Sequence, residues 1–285
     1  MIQSLQSPQL LYKKYPKLKI IRYAGGKDRV LKYIFPYLPP RDSIKGRFVE
    51  PFVGSAAVFF ALNPKSAILS DISKDLIDLY RGIKKHPIEV WKLFENFPST
   101  KEGYYAIRSM ELEEKDLAFK AARTLYLNRT CFKGMWRYNA NGDFTVGYGG
   151  QDRRWNINEE SLIDVSKRLR SVTLKCSDFE EIIDLCDKDD FIFLDPPYSP
   201  GKTEPTWLHY THNKFTYDDH ERLAEALRRA SLRGVKWTMT TSSHPDILRL
   251  FTEFNIHSLS MGTSSKVGVL TSTVGEVLIH NYSKI

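Results

Sequence analysis

Four consecutive residues, Asp195-Pro196-Pro197-Tyr198, place an acid, two prolines and a phenol directly after the apolar run Phe191–Leu194 (FIFL). A short apolar run bounded by an acid reads as a buried strand, and in open parallel sheets ligand chemistry gathers beyond the carboxyl ends of strands. The proline pair fixes φ and removes two backbone donors, so its carbonyls can point at a bound group. A carboxylate beside a rigid carbonyl suits an amino group whose lone pair is delocalised into an aromatic ring. Accepting that group's two hydrogens helps the nitrogen become tetrahedral and attack a methyl sulfonium. Tyr198 adds a face on which a base can stack. The competing reading is a proline-rich turn after a strand; strand, acid, Pro-Pro and Tyr together favour chemistry.

Two further segments carry weaker signals. In Phe48-Val49-Glu50-Pro51-Phe52-Val53-Gly54-Ser55 a strand runs into a small-residue turn that opens a helix, where Gly54 lets backbone approach a ligand. Many α/β turns share this pattern. Asp71 closes the next strand, one βα unit on, where an acid suits a ribose diol. It equally suits the N-cap of the helix that begins near Ser73. Arg22-Tyr23-Ala24-Gly25-Gly26-Lys27 resembles a phosphate loop, but GxxxxGK[ST] is absent and Asp28 follows Lys27. A nucleoside triphosphatase is therefore disfavoured, and a glycine turn before a helix over Arg29–Tyr37 accounts for the segment.

These residues need strands and helices to position them. Arg47–Val53, Ala67–Ser70 and Phe191–Leu194 read as buried strands, with helices expected at Ser55–Leu62 and Ser73–Ile83 after the first two. Strand-helix alternation of this kind predicts a parallel sheet with helices on its faces. Tyr217–Leu232 reads as a helix with a capping box from Thr216 and Asp219 and a stop at Gly234. Val235–Thr240 is the next expected strand. Asn255–Met261 and Glu276–Tyr282 alternate apolar and polar residues as an antiparallel pair would. Between Lys84 and Lys175 helical patterns dominate, followed by a Gly-, Asn- and aromatic-rich stretch. Asn141-Gly142 predicts a hairpin between Trp136–Tyr138 and Phe144–Val146. The expected division is a catalytic unit formed by residues 1–83 and 176–285, with 84–175 inserted.

The formal net charge of the 285-residue chain is +8. Residues 1–45 hold ten Lys/Arg and two acids, so the whole excess lies there, as a solvated basic tail or a polyanion-binding segment would have it. Cys131, Cys176 and Cys186 lack CxxC spacing, and the seven His give no metal-ligand pattern. No run approaches the roughly 18 apolar residues of a membrane span. A soluble, cytoplasmic protein without a metal is expected.

In order along the chain, RYAGGK (22–27), FVEPFVGSAAVF (48–59), LSDISKDLIDLY (69–80), LYLNRTCFKGMWRYNANGDFTVGYGG (125–150), FLDPPY (193–198) and HYTHNKFT (209–216) resemble the Dam-type (D12 class) DNA N6-adenine methyltransferases. The resemblance runs from about Lys19 to Tyr282. It implies a Rossmann-like methyltransferase sheet with an inserted, mostly helical target-recognition domain carrying a β-hairpin. It implies S-adenosyl-L-methionine as methyl donor, held by Tyr23, Gly25, Gly26, Lys27, Phe52, Gly54, Ser55, Asp71 and Asp195. It assigns Asp195, Pro196, Pro197 and Tyr198 to the flipped adenine. Arg22, Phe132, Lys133, Met135, Arg137 and Tyr138 fall where the family meets DNA, Arg137 on a guanine-reading arginine, which agrees with the bidentate fit of arginine to guanine.

The implied partner is double-stranded DNA, with a cognate restriction endonuclease as a candidate separate protein. The implied form is a nucleoid-associated monomer. GATC-reading members carry Asn at the place of Lys133 and Pro at the place of Gly147, so adenine methylation is implied without that recognition sequence. His209 and His212 read equally as a lid over the base and as surface polarity. The competing functions are methylation of adenine in RNA, an N4-cytosine enzyme, in which Ser more often takes the place of Asp195, and a DNA-binding module without catalysis.

Overall fold

The computed structural model describes residues 18–23, 25–139, 141–150, 154–198, 215–259, 262–263, 270–271 and 275–283. Its centre is a seven-stranded sheet built from β1 (Phe48–Glu50), β2 (Ala67–Asp71), β3 (Val172–Cys176), β4 (Phe191–Leu194), β5 (Lys236–Ser242), β6 (Asn255–Ser258) and β9 (Glu276–His280). Their order is β3-β2-β1-β4-β5-β9-β6. The first five strands are parallel; β9 runs antiparallel to β5, and β6 antiparallel to β9. A separate ladder pairs β7 (Gly262–Thr263) with β8 (Leu270–Thr271).

The parallel strands are apolar on both faces because both are covered. Phe48, Leu69, Phe191 and Phe193 face one core, while Val49, Ile68, Ile192 and Leu194 face the other. The first core is covered by α1 (Leu31–Ile34), α2 (Ala57–Leu62), α3 (Lys74–Lys85), α4 (Pro87–Asn96), α5 (Lys101–Arg108), α6 (Leu117–Thr130) and α7 (Glu159–Leu169). The second is covered by α8 (Phe179–Asp184), α9 (Tyr217–Leu232) and α10 (Pro245–Arg249). The three cysteines are unpaired. No helix of the described residues is long and apolar enough to cross a membrane.

FIFL and the helix Tyr217–Leu232 match their expected bounds, and the Thr216–Asp219 capping box is formed. Elsewhere local chemistry moves the ends. Pro51 cannot donate to the ladder, and β1 stops at Glu50. Gly54 (φ 44°) and Ala56 (φ 54°) are left-handed, so α2 starts at Ala57 and not at Ser55. The Trp136–Tyr138 and Phe144–Val146 segments do not form a regular ladder. One bridge, Tyr138 to Phe144, joins them, and a second links Cys131 to Tyr148. Trp136, Phe144 and Val146 are buried, and the Asn139 side chain closes the turn by accepting from the amides of Asn141 and Asp143. Arg29–Tyr37 is a broken series of short turns with α1 in its middle. The strand Val172–Cys176 has no counterpart in the sequence reading, and a division between 175 and 176 cuts it.

Candidate active site

Asp195 follows β4 at the carboxyl edge of the sheet, where β1, β2 and β5 also end. Because β9 is antiparallel, its first residue, Glu276, reaches the same edge, in register with Ser242 at the end of β5. Five side chains meet there. The Lys27 ammonium lies 2.7 Å from Asp195 Oδ1 and 3.2 Å from Glu276 Oε1, and it donates to the Gly25 carbonyl at 3.0 Å. The Tyr198 hydroxyl donates to Glu276 Oε1 at 2.5 Å, and the ammonium sits 4.9 Å from the Tyr198 ring centre. Thr240, in β5, donates to Asp195 Oδ1 at 2.9 Å.

The Lys27 and Glu276 side chains are 3% and 0% exposed, whereas Asp195 keeps 22% of its side chain open, so the acid is the member that a ligand can reach. Burial alone would lower the pKa of Lys27, but Asp195 and Glu276 outweigh it and hold the ammonium above its usual range. Burial raises Asp195 and the Glu276 charge adds to this, against the opposing pull of Lys27 and Thr240. Burial, with Glu276 and Asp195 nearby, keeps the Tyr198 phenol protonated as a donor.

Next to this cluster lies the turn after β1. Asp71 is not the N-cap of α3; Ser73 is, accepting from the Leu76 amide. Asp71 instead accepts from the Gly54 amide at 3.2 Å and the Ser73 amide at 3.0 Å, tying β2 to the turn. Burial raises its pKa to about 6 despite these bonds. A β-carbon on Gly54 would lie 3.1 Å from the Tyr23 ring, and one on Gly26 would lie 3.2 Å from Ser55 Oγ. Tyr23, Gly26 and Lys27 are thereby brought against Gly54 and Ser55, and the Gly54 carbonyl accepts from Tyr80 Oη at 2.8 Å. Phe52 stacks on Phe179 at 5.3 Å and meets Phe215 edge-on at 5.7 Å. Glu50 is buried with one oxygen on the Phe59 amide and Oε2 without a partner among the described residues, and burial raises its pKa well above its usual value.

Of the residues assigned to DNA, Arg22, Phe132, Lys133 and Met135 lie together. The Arg22 amide and carbonyl are both held by the Asn128 side chain at 2.7 Å. Gly134, in the turn after α6, packs against Arg22 so closely that a β-carbon would lie 2.6 Å from it. Phe132 is 47% exposed with the Lys133 ammonium 5.0 Å from its ring centre, and Lys133 itself is left-handed (φ 54°). Arg137 is exposed, and among the described residues its side chain reaches only Thr145 Oγ1, at 3.4 Å. Tyr138 turns inward: its hydroxyl donates to Asp75 at the start of α3 at 2.8 Å. Trp136 is buried with its ring centre 5.9 Å from that of Tyr23. His209, His212 and most of 209–216 lie outside the described residues.

The sequence reading missed Glu276, Thr240, Phe179 and Phe215. Each sits in an unremarkable strand, helix or loop start, and only the sheet order brings them to the edge. Glu276 alone left a trace, as an acid opening an otherwise apolar strand. Among the described residues no group of three or more His, Cys, Asp or Glu is placed to hold a metal ion.

The chain matches the family model described as D12 class N6 adenine-specific DNA methyltransferase over residues 23–263. It is 30% identical to the type II methyltransferase M1.LlaDCHI of Lactococcus lactis subsp. cremoris, over 92% of this chain and 94% of that one. It is 33% identical to the type II methyltransferase M.MjaIII of Methanocaldococcus jannaschii, over 92% and 98%. The DNA adenine methylase of Vibrio cholerae is 30% identical over 90% and 94%. An acid followed by Pro-Pro-Tyr at a strand end, a glycine turn beside it and this family match across most of the length give one answer: the chain belongs to the D12 class N6 adenine-specific DNA methyltransferases.

Proposed function

We propose that this enzyme takes its methyl group from S-adenosylmethionine and delivers it to the N6 amino group of an adenine turned out of duplex DNA into the pocket at Asp195. The observation that carries the reading is the partly open Asp195 carboxylate, held by Lys27 and Thr240 at the carboxyl edge of the sheet beside Tyr198.

The residues present fit the donor. Asp71 offers a carboxylate where a ribose diol would lie, Gly54 fixes that carboxylate with its amide, and Glu50 Oε2 is a buried polar atom with no partner among the described residues. When bound, the sulfonium supplies the electrophilic methyl carbon. Asp195 and the Pro196 carbonyl accept the two amino hydrogens, and Tyr198 supports the base ring. Lys27 holds Asp195 in place, and closeness and alignment supply much of the rate. Arg22, Phe132, Lys133 and Met135 form one DNA-facing surface, and Arg137 reads a base; Tyr138 serves as an anchor for the hairpin. The inserted unit, expected as 84–175, ends before β3. We further propose that the enzyme acts as a cytoplasmic, nucleoid-associated monomer, with any cognate endonuclease a separate protein.

The test is methyl transfer from labelled S-adenosylmethionine to unmethylated genomic DNA, followed by sequencing that detects modified bases. N6-methyladenine in one short motif is expected, with none from Asp195→Ala although that variant still folds. Near-normal transfer by Asp195→Ala would refute the role of the acid.

A further inference from the structure

The chemistry needs one acid, Asp195, yet the cluster contains two. Glu276 comes from a different part of the chain, has its side chain wholly covered, and places Oε1 on both the Lys27 ammonium and the Tyr198 hydroxyl. Burying a carboxylate is costly, and retaining one that touches no reacting atom calls for a physical role. Orienting Tyr198 is one such role, but a neutral amide could do that as well. What only a carboxylate adds is charge. Glu50, also buried nearby, is pushed toward its neutral form by that burial.

A cationic donor would feel this charge. To be transferred, the methyl carbon must come within about 3–3.5 Å of the attacking nitrogen, and that nitrogen is gripped by Asp195. The sulfonium is then only several ångströms from the Asp195–Lys27–Glu276 cluster. Transfer removes the charge from sulfur: the S–C electron pair stays on sulfur, the nitrogen forms the new C–N bond, and an amino proton leaves to solvent. The by-product, S-adenosylhomocysteine, is identical except that it lacks the methyl group and the positive charge.

We propose that Glu276 is the residue that makes the pocket discriminate between the cationic donor and its neutral by-product. Lys27 and Asp195 alone form a balanced pair; Glu276 tips this set of three toward negative. The charge favours binding of the donor before transfer and weakens retention of the thioether after it. This rests on S-adenosylmethionine being the donor. A unit charge at roughly 6–8 Å and an effective dielectric near 20 changes affinity by at least about tenfold.

Calorimetric titration without DNA tests this, using S-adenosylmethionine, S-adenosylhomocysteine and sinefungin, in which a protonated amine occupies the place of the methyl sulfonium. Glu276→Gln keeps the shape and removes the charge. It is expected to weaken both cationic ligands at least about tenfold relative to S-adenosylhomocysteine. Glu276→Asp, which keeps the charge, and Tyr198→Phe, which drops only the hydroxyl, should hold the wild-type ratio within about threefold. Equal loss of all three ligands in Glu276→Gln, or no change, overturns the proposal. So does a fall in the ratio for Tyr198→Phe or Glu276→Asp, since packing would then explain the effect; where Glu276→Gln does not fold, a wild-type protein that binds the two cationic ligands no more tightly than S-adenosylhomocysteine overturns it. A wild-type protein that binds none of the three ligands refutes the donor itself, a different failure from an unmoved ratio.

Discussion

Asp71 shows how one side chain is set by its surroundings. Three backbone amides favour its ionised form, yet burial dominates and its pKa rises to about 6. A ribose diol donates hydrogen bonds, so the proposed donor needs the carboxylate. Affinity for S-adenosylmethionine is therefore expected to be constant above about pH 7 and to fall up to about tenfold per unit below pH 6. Asp71→Asn should bind weakly with no such slope; titrations from pH 5 to 8 compare the two. Arg137 is the opposite case, an exposed guanidinium with one long contact to Thr145. If it reads guanine, Arg137→Ala relaxes discrimination at one base pair by about 1–3 kcal/mol. A methylome of that variant identical to the wild type would remove Arg137 from the recognition surface.

Helix α9 carries His220, which is fully buried, has no hydrogen-bond partner on either nitrogen among the described residues and meets the Phe215 ring at 4.9 Å. Burial lowers its pKa to about 4, so the folded protein holds it neutral where the unfolded chain would be protonated. The unfolded state binds more protons between about pH 6.5 and 4, so stability is full above that window and falls as pH drops through it, by up to about 3 kcal/mol. Asp71 acts with the opposite sign, its stabilising proton being lost as pH rises through about 6. The His220 contribution is thus read as the difference between wild type and His220→Leu in urea unfolding from pH 4.5 to 7.5. A difference that stays flat with pH would contradict a neutral buried imidazole. The same helix buries Leu223, Ala224 and Leu227 against β4 and β5, so its first turn is anchored beside Phe52 and Phe179.

On the scale of the whole molecule, charge and fold separate. The acids and bases beyond residue 45 balance, and many of those on α8 and α9 neutralise one another, as Arg222 does with Asp178 and Glu180 and Arg229 with Glu180 and Asp184. The excess lies in residues 1–45, and +5 of its +8 is carried by the segment up to and including Arg22. DNA affinity should therefore fall steeply with salt, and replacing Lys13, Lys14 and Lys17 with Gln should flatten the log–log slope by about 0.9 for each lysine that contacts a phosphate. An unchanged slope would assign the phosphate contacts to other cations.

The sequence by itself determined the features whose physics is local. FIFL has to be buried, Asp195-Pro196-Pro197-Tyr198 has to turn rigidly after it, Thr216 and Asp219 have to cap a helix, and the order of six motifs carried the family. Backbone strain was less legible: only Gly54 hinted that the turn before α2 is left-handed, and Ala56 gave no sign of it. The edge strand Val172–Cys176 was missed because its burial is half-hearted and its partner, β2, is about a hundred residues away. Tertiary structure alone decided which residues meet. Lys27 and Asp195 are 168 positions apart and Glu276 lies a further 81 along. No local pattern links them, because their contact depends on strand order and on β9 running backwards, which delivers an acid from the start of the last strand to the carboxyl edge of the sheet.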